Sequence, residues 1–358
     1  MLKKITFEIE TITPMFLAGA NQGKAELRAA SIKGLLRFWW RAMQAEPDIE
    51  KLRNRESQIF GSSDEKTGGG SSFSIRIAHE GALKTSKEPF PKQNISITSK
   101  GKTFPVNILE YLAYGTLEYK KEEKKNVFIR EYIPNNTKFS LILGSRDYNA
   151  TEALKALYVF NLFGGVGSRS RNGFGSFQIV NAEKAFESIV ADCYISQPYS
   201  NDNLKKMIKQ VGLSSYSSFS QEVKIFKTKA VHDTWDKALG EIGKIYRGIR
   251  SSDIKKDNQT FESKHFYDKR QYLGAPLDPP KETFKSILDR HAKPFFIKVA
   301  KEGNKYRSYI LYLPSQYCAG KDADRNGKNI NHSTADGNFI EVCNEFNKFL
   351  GEHLEAIL

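Results

Sequence analysis

EALKALYVFNLFGGVGSRSRNGFGSFQIV, from Glu152 to Val180, runs from a mostly apolar stretch through a glycine- and arginine-rich one into alternating apolar and polar residues. The apolar part predicts a helix, capped by Thr151 and stopped at Gly164-Gly165, and Gly175 to Val180 predicts a strand. Upstream, Ile5, Phe7 and Ile9 alternate with Thr6, Glu8 and Glu10, the period of a strand with one buried face, and Thr13-Pro14 ends it. Ser31 is then the expected N-cap of a helix, IKGLLRFWWRAM, in which Ile32, Leu35, Leu36, Trp39, Trp40 and Met43 recur at helical spacing. The run SSDEKTGGGSS, Ser62 to Ser72, reads as a flexible loop before a second strand at Phe73, Ile75 and Ile77. Phe139 to Leu143 is the third strand.

The order through residue 180 is strand, helix, strand, strand, helix, strand, the split βαβ arrangement of ferredoxin-like (RRM-like) folds. The fold class is therefore α+β, with an antiparallel sheet carrying both helices on one face. Between the second and third strands about 81–138 form an insertion far longer than ordinary loops, expected to project as a thumb whose tip, EYKKEEKKN at Glu118 to Asn126, is solvated. In the second half a strand at Gln221 to Lys227, a helix at Trp235 to Ile249 and strands at Phe295 to Ala300 and Tyr306 to Leu313 repeat the order less clearly. Phe339, Val342, Cys343, Phe346 and Leu350 define a last amphipathic helix, after which no strand is expected before Leu358. This divides the chain into a ferredoxin-like domain, 1–180, and a degenerate second one, 181–358, each with its own core.

Hydrophobic residues make up 39% of the 358 residues and aromatics 12%, enough to bury cores and too much for a disordered chain. Lys plus Arg number 55 against 41 Asp plus Glu, and the formal charge of +14 calls for an anionic partner, nucleic acid first. Cys193, Cys318 and Cys343 have no metal or redox spacing and read as reduced core thiols. MLKKITFEIETI alternates where a secretion signal would be continuously apolar, and no window approaches the about 20 apolar residues that span a bilayer. A cytoplasmic protein with no membrane partner is the expectation.

The loop at 164–175 carries the chemistry. Gly164, Gly165, Gly167, Gly173 and Gly175 permit positive φ and close approach to a ligand, and Arg169 and Arg171, interleaved with Ser168 and Ser170, supply bidentate phosphate donors. The segment lacks the third glycine of a dinucleotide fingerprint and the lysine of a phosphate loop, so no nucleotide cofactor is expected. Phe174 is placed either to stack on a base or to fill the core. On the first helix Lys33, Arg37 and Arg41 recur every four residues as one basic stripe. Lys33 in a first turn would oppose the helix dipole by roughly 0.3–1 kcal/mol, a penalty that a bound anion removes. Gly34 inside a helix costs about 1 kcal/mol relative to Ala and suggests that backbone or ligand comes close. Lys24 and Arg28, in the polar segment before this helix, extend the basic surface, and the loop is expected to face the stripe across a nucleic-acid cleft.

Catalytic and metal signatures are missing. His79, His232, His265, His291, His332 and His353 are scattered without zinc spacing, and no paired acidic motif suggests two-metal chemistry. Asp64 and Glu65 receive no role. The histidines are expected to be structural, and neither metal nor cofactor is expected.

TPMFLAGANQGKAELRAASIKGLLRFWWRA, Thr13 to Ala42, together with GGVGSRSRNGFGSF, Gly164 to Phe177, resembles the RAMP superfamily of CRISPR proteins. Within it the match is to the first-numbered RAMP subunits of type III-B Cmr effector complexes. The resemblance implies ferredoxin-like domains, a place at the end of a ribonucleoprotein filament serving antiviral defence, and other Cmr RAMP subunits as neighbours. It also implies guide RNA or target RNA, or both, as partners, the guide through its 3′ portion. Target cutting in such complexes is attributed to the backbone RAMP subunit and nucleotide chemistry to the large subunit, so this chain would bind RNA without cleaving it. The enzyme reading is a metal-independent endoribonuclease that processes guide RNA, with His79 as first candidate.

Overall fold

The structure, a computed structural model, describes residues 3–64, 68–99, 102–145, 150–182, 199–251, 269–274, 286–324 and 327–358. In chain order the first half forms β1 (Lys3–Thr11), α1 (Ala29–Gln44), α2 (Ile49–Phe60), β2 (Phe73–Ala78), β3 (Asn94–Ser99), β4 (Lys102–Asn107), α3 (Ile108–Leu112), β5 (Leu117–Lys120), β6 (Lys125–Phe128), β7 (Lys138–Ser145), α4 (Ala150–Phe163) and β8 (Phe177–Ala182). The second half forms α5 (Asn201–Met207), β9 (Lys224–Lys227), α6 (Trp235–Ser251), β10 (Phe295–Glu302), β11 (Lys305–Tyr312), α7 (His332–His353) and β12 (Glu355–Ala356).

The first sheet is antiparallel throughout, in the order β2-β7-β1-β8. Its register opposes Ile5 to Leu143, Phe7 to Leu141 and Ile9 to Phe139. A slip by one residue would turn this whole apolar set to solvent. The face so formed is covered by α1 and α4, whose Ile32, Leu36, Leu157 and Phe160 join it in one buried cluster, while Lys4, Thr6, Arg76 and Ala78 lie exposed on the other face. Two caps differ from expectation. Ala29 and Ala30, the best helix formers, carry α1 back to an N-cap at Arg28 that has no side-chain bond, so Ser31 and Lys33 lie inside the helix. Thr151 is likewise inside α4, which is already helical at Ala150.

The helix α2 was not expected, because its apolar residues Leu52, Ile59 and Phe60 are few. Its signals are Asp48, whose carboxylate accepts from the Lys51 amide at 3.0 Å, and the seven- and eight-residue spacing from Leu52.

The second sheet is also antiparallel, in the order β10-β11-β9-β12. Counted within each sheet, both run second, third, first, fourth strand. The expectation of no strand after the last helix is corrected: Glu355 pairs with Lys227 and Ala356 with Phe226. Two residues are too few for a periodic pattern to register.

The sheets separate near residue 180, but the cores do not. Phe295, Ile297 and Val299 pack with Tyr246 of α6 and Phe346 of α7, whereas Phe296 and Ala300 of the same strand belong to the cluster of the first sheet. Burial on both faces is why β10 reads as a nearly continuous apolar run. The insertion, 79–137 between β2 and β7, holds the hairpins β3-β4 and β5-β6 and the short α3. Rather than projecting as a thumb, it completes the second core: Ile108, Leu109 and Leu112 are buried beside α6, where a Cβ on Gly243 would lie 2.8 Å from Leu112 Cδ1. Its tip, residues 118–126, is exposed as expected.

Candidate nucleic-acid interface

The glycine-rich loop begins where α4 ends, with the Gly164 amide donating to Phe160 O at 2.8 Å. The Lys298 ammonium, buried on β10, donates to Gly164 O at 2.9 Å and to Phe177 O at 2.8 Å, tying the second sheet to both ends of the loop. A cation there complements the negative end of the α4 dipole, although burial still holds the amine well below its ordinary value. The loop backbone then follows the protein closely. Ser168 N donates to Phe16 O and Gly175 N to Pro14 O, both at 2.8 Å, and Ile297 N donates to Arg171 O at 3.1 Å. Gly167, Gly173 and Gly175 take φ of 93°, 92° and 63°, the region that only glycine enters freely. What the glycines admit is protein: a Cβ would strike Phe16 O at Gly167, Leu239 at Gly173 and Val166 O at Gly175, and would come within 2.8 Å of Phe174 O at Gly165.

This packing separates the loop residues by role. Phe174 is fully buried, its ring 5.5 Å from Phe16 and stacked 5.3 Å from Phe90, and so belongs to the core and offers no base platform. Arg171 turns inward: it donates to Lys293 O, and its guanidinium lies 4.3 Å from the Phe296 ring and 5.7 Å from Phe38. Burial lowers its pKa to about 10. Ser168 and Ser170 are half-buried. Only Arg169, at the apex, is exposed, and it holds the left-handed conformation with φ 61°. A non-glycine residue in that region stores strain of about 1–3 kcal/mol, as Ala45, Lys124 and Asn136 also do.

The stripe on α1 does not face the loop. Arg41 makes a two-pronged bond to Glu56 of α2, with Nη2 to Oε1 at 2.7 Å, and this bond raises its pKa. Arg37 donates to Gly61 O at 3.1 Å and to Phe60 O at 3.4 Å, and its Nε lies 3.4 Å from Glu56, so it caps the end of α2. Lys33 sits 5.2 Å from the centre of the Phe73 ring, its pKa lowered by burial and by Arg37. Among the described residues nothing beyond its own helix turn and chain neighbours comes within 4 Å of a Cβ at Gly34. The cleft expected between loop and stripe is thus replaced by two separate surfaces, because the unexpected α2 takes up the arginines.

What does gather around Arg169 comes from elsewhere. Its pKa is lowered by burial and by the neighbouring Arg130, with Tyr114 also in range, and its guanidinium lies against Gly115. Neither the Arg169 nor the Arg130 guanidinium makes an ion pair or hydrogen bond among the described residues. The exposed Lys24 joins them through its neighbour Gly23, whose carbonyl accepts from the Glu131 amide at 3.0 Å. Arg28 is exposed too but pairs with Glu26 at 3.2 Å. A pocket of about 120 Å³ lined by Gln22, Arg130, Glu131, Gly167 and Ser168 lies in this surface. Arg130 and Tyr114 were not singled out in the sequence; their signal is a cation or a lone aromatic at the edge of an otherwise apolar stretch.

Behind the loop, Lys293 Nζ donates to Asn172 Oδ1 at 2.7 Å, and burial together with Arg250, Arg171 and Arg169 lowers its pKa well below the ordinary value. The His291 ring lies 4.5 Å from Tyr317, tilted against it, and its buried Nδ1 has no hydrogen-bond partner among the described residues. Burial, then Arg171 and Lys321, pushes its pKa from 6.5 down to about 4. The folded state keeps this imidazole neutral while the unfolded chain protonates it, so stability falls as pH drops from 6.5 towards 4, by about 3 kcal/mol at most. Denaturation midpoints across that window should fall less steeply in His291→Phe than in the unsubstituted chain.

His79 lies outside this surface. It borders a groove over the open face of the first sheet with Glu8, Lys138 and Ser140, and its Nδ1 is 3.4 Å from Gly81 O. Cys318 and Cys343 are buried and free, while Cys193, His265 and Glu65 lie outside the described residues. Among the described residues no group of three or more His, Cys, Asp or Glu could hold a metal ion, and no helix is long and apolar enough to cross a membrane.

Residues 8–178 match the RAMP superfamily. Two proteins of Pyrococcus furiosus are similar: CRISPR system Cmr subunit Cmr1-2, 29% identical over 48% of this chain and 93% of that protein, and Cmr1-1, 26% identical over 87% and 88%. The crystal structure of apo Cmr1 from Pyrococcus furiosus superposes with a TM-score of 0.58 at 21% identity, over 99% of this chain and 98% of that one. A chain of a type III-B Cmr-beta complex bound to cognate target RNA and AMPPnP gives 0.53 at 13% identity, over 96% and 99%. The two quoted motifs lie in the segment that matches the RAMP superfamily, residues 8–178, and the likeness to Cmr1 proteins runs along the chain.

Proposed function

We propose that this chain is a non-catalytic RNA-binding subunit of a type III-B CRISPR effector complex acting in antiviral defence. Its two halves are read as ferredoxin-like units, the second shortened, meeting other Cmr RAMP subunits and touching the backbone of guide RNA, target RNA or both. The observation that carries the reading is the surface of Arg169, Arg130 and Lys24, where two guanidiniums have no partner among the described residues and one is held at φ 61°. Guanidiniums bind phosphate oxygens in pairs and position a strand without reading its bases. Arg171, Phe174 and the α1 stripe drop out as primary contacts because the fold already engages them.

Arg169→Ala and Arg130→Ala should each weaken RNA binding about fivefold, the effect of about 1 kcal/mol per contact. Each should also lower the slope of log affinity against log salt by about one. The RNA should be recovered intact in EDTA. An unchanged salt slope in both variants rejects the site, and cleavage lost in His79→Ala favours the endoribonuclease reading.

A further inference from the structure

Tyr114 is the most exposed large hydrophobic side chain among the described residues, at 72%. Its backbone, in contrast, is pinned. It follows α3 in a turn where Ala113 O accepts from Thr116 N at 3.0 Å and from the buried Thr116 Oγ1 at 2.7 Å, and Gly115 takes φ 85°. Across from Thr116, Ile129 donates its amide to Thr116 O at 3.0 Å and is itself 42% exposed. Beneath this turn lies the Arg169 guanidinium, with Arg130 beside it. An exposed phenol on a rigid turn, flanked by two guanidiniums without partners, is the arrangement that takes an unstacked base on the ring and its neighbouring phosphates on the cations.

We propose that Tyr114 is a base-stacking platform, and that the RNA engaged at Arg169 and Arg130 is single-stranded. This rests on the RNA reading above and adds the class of strand. In duplex RNA the base faces are already stacked, so the ring would have nothing to receive.

The test uses the full chain and a single-stranded RNA carrying 2-aminopurine, with the same sequence annealed as a duplex for comparison. Binding of the single strand should quench the fluorophore. Tyr114→Ala should remove the quench and weaken single-strand binding by about 5- to 100-fold, whereas Tyr114→Trp should keep both. Duplex binding should be weaker and the same in all variants. If Tyr114→Ala leaves the quench and affinity unchanged while Arg169→Ala still weakens binding, stacking is wrong and the phosphate site stands. If neither variant changes binding, both fail. The exposure of Tyr114 means that its loss leaves the fold intact, which a thermal midpoint of Tyr114→Ala within about 2 °C of the parent would verify.

Discussion

Trp39→Ala should destabilise the protein by about 3–5 kcal/mol, measured by equilibrium denaturation, and should affect both halves of the chain in one transition. The ring is 1% exposed, and its centre lies 5.3 Å from Phe38, 6.4 Å from Phe160, 6.4 Å from Phe219 and 5.6 Å from Phe296. Phe160 lies on α4 of the first half and Phe219 and Phe296 in the second, so the indole fills the joint between them. Removing it leaves a cavity that neither sheet can close without parting from the other. Against a total stability of about 5–15 kcal/mol, a loss of this size takes a large share. Tyr119→Ala, at the exposed hairpin tip, is the control and should change stability by no more than about 0.5 kcal/mol. Separate transitions for the halves in the Trp39 variant, with the first unaffected, would contradict the shared core.

Gly175→Ala should cost about 2–5 kcal/mol and reduce RNA binding with it. The left-handed backbone accounts for roughly 1–2 kcal/mol, and forcing a methyl against Val166 O adds about 1–3 kcal/mol. The main chain here cannot give way easily, because Gly175 N is bonded to Pro14 O at 2.8 Å and Val166 N to Gly175 O at 2.9 Å. A shift that relieved the clash would displace Arg169 at the apex. The same substitution at Gly34 should act in the opposite direction, stabilising by about 0.5–1 kcal/mol, since that residue is helical, exposed and has nothing within 4 Å of a Cβ. Chemical denaturation of the two variants side by side checks both signs. A Gly175→Ala chain as stable as its parent would mean that the loop is not held as described.

The four strands of the first sheet and the helices α1 and α4 were legible because apolar residues recur at period two or near period four over long stretches, whereas α2 and the hairpins of the insertion carry too few apolar residues for such a pattern. The final strand was not, since two residues, Glu355 and Ala356, carry no period and exist as a strand only because β9 offers them an edge. The glycine-rich loop was legible as a special backbone, but not what approaches it: positive φ is a local property, whereas the neighbours Phe16, Leu239 and Val166 come from three places in the chain.

The same division runs through the candidate site. An arginine in sequence is a cation with five donors, and whether those donors are free depends on residues far away. Arg41 and Arg37 are taken by Glu56 and the end of α2, and Arg171 by Lys293 O and the Phe296 ring, so three of the expected phosphate ligands serve the fold. Arg169 alone among the loop cations remains outward, joined by Arg130 and Tyr114 from an insertion that local pattern could not place. Charge, composition and the two motifs pointed to RNA and to the family from sequence alone. Which cations reach the solvent together was settled by packing, because burial and pairing are properties of the folded chain and leave no local signature.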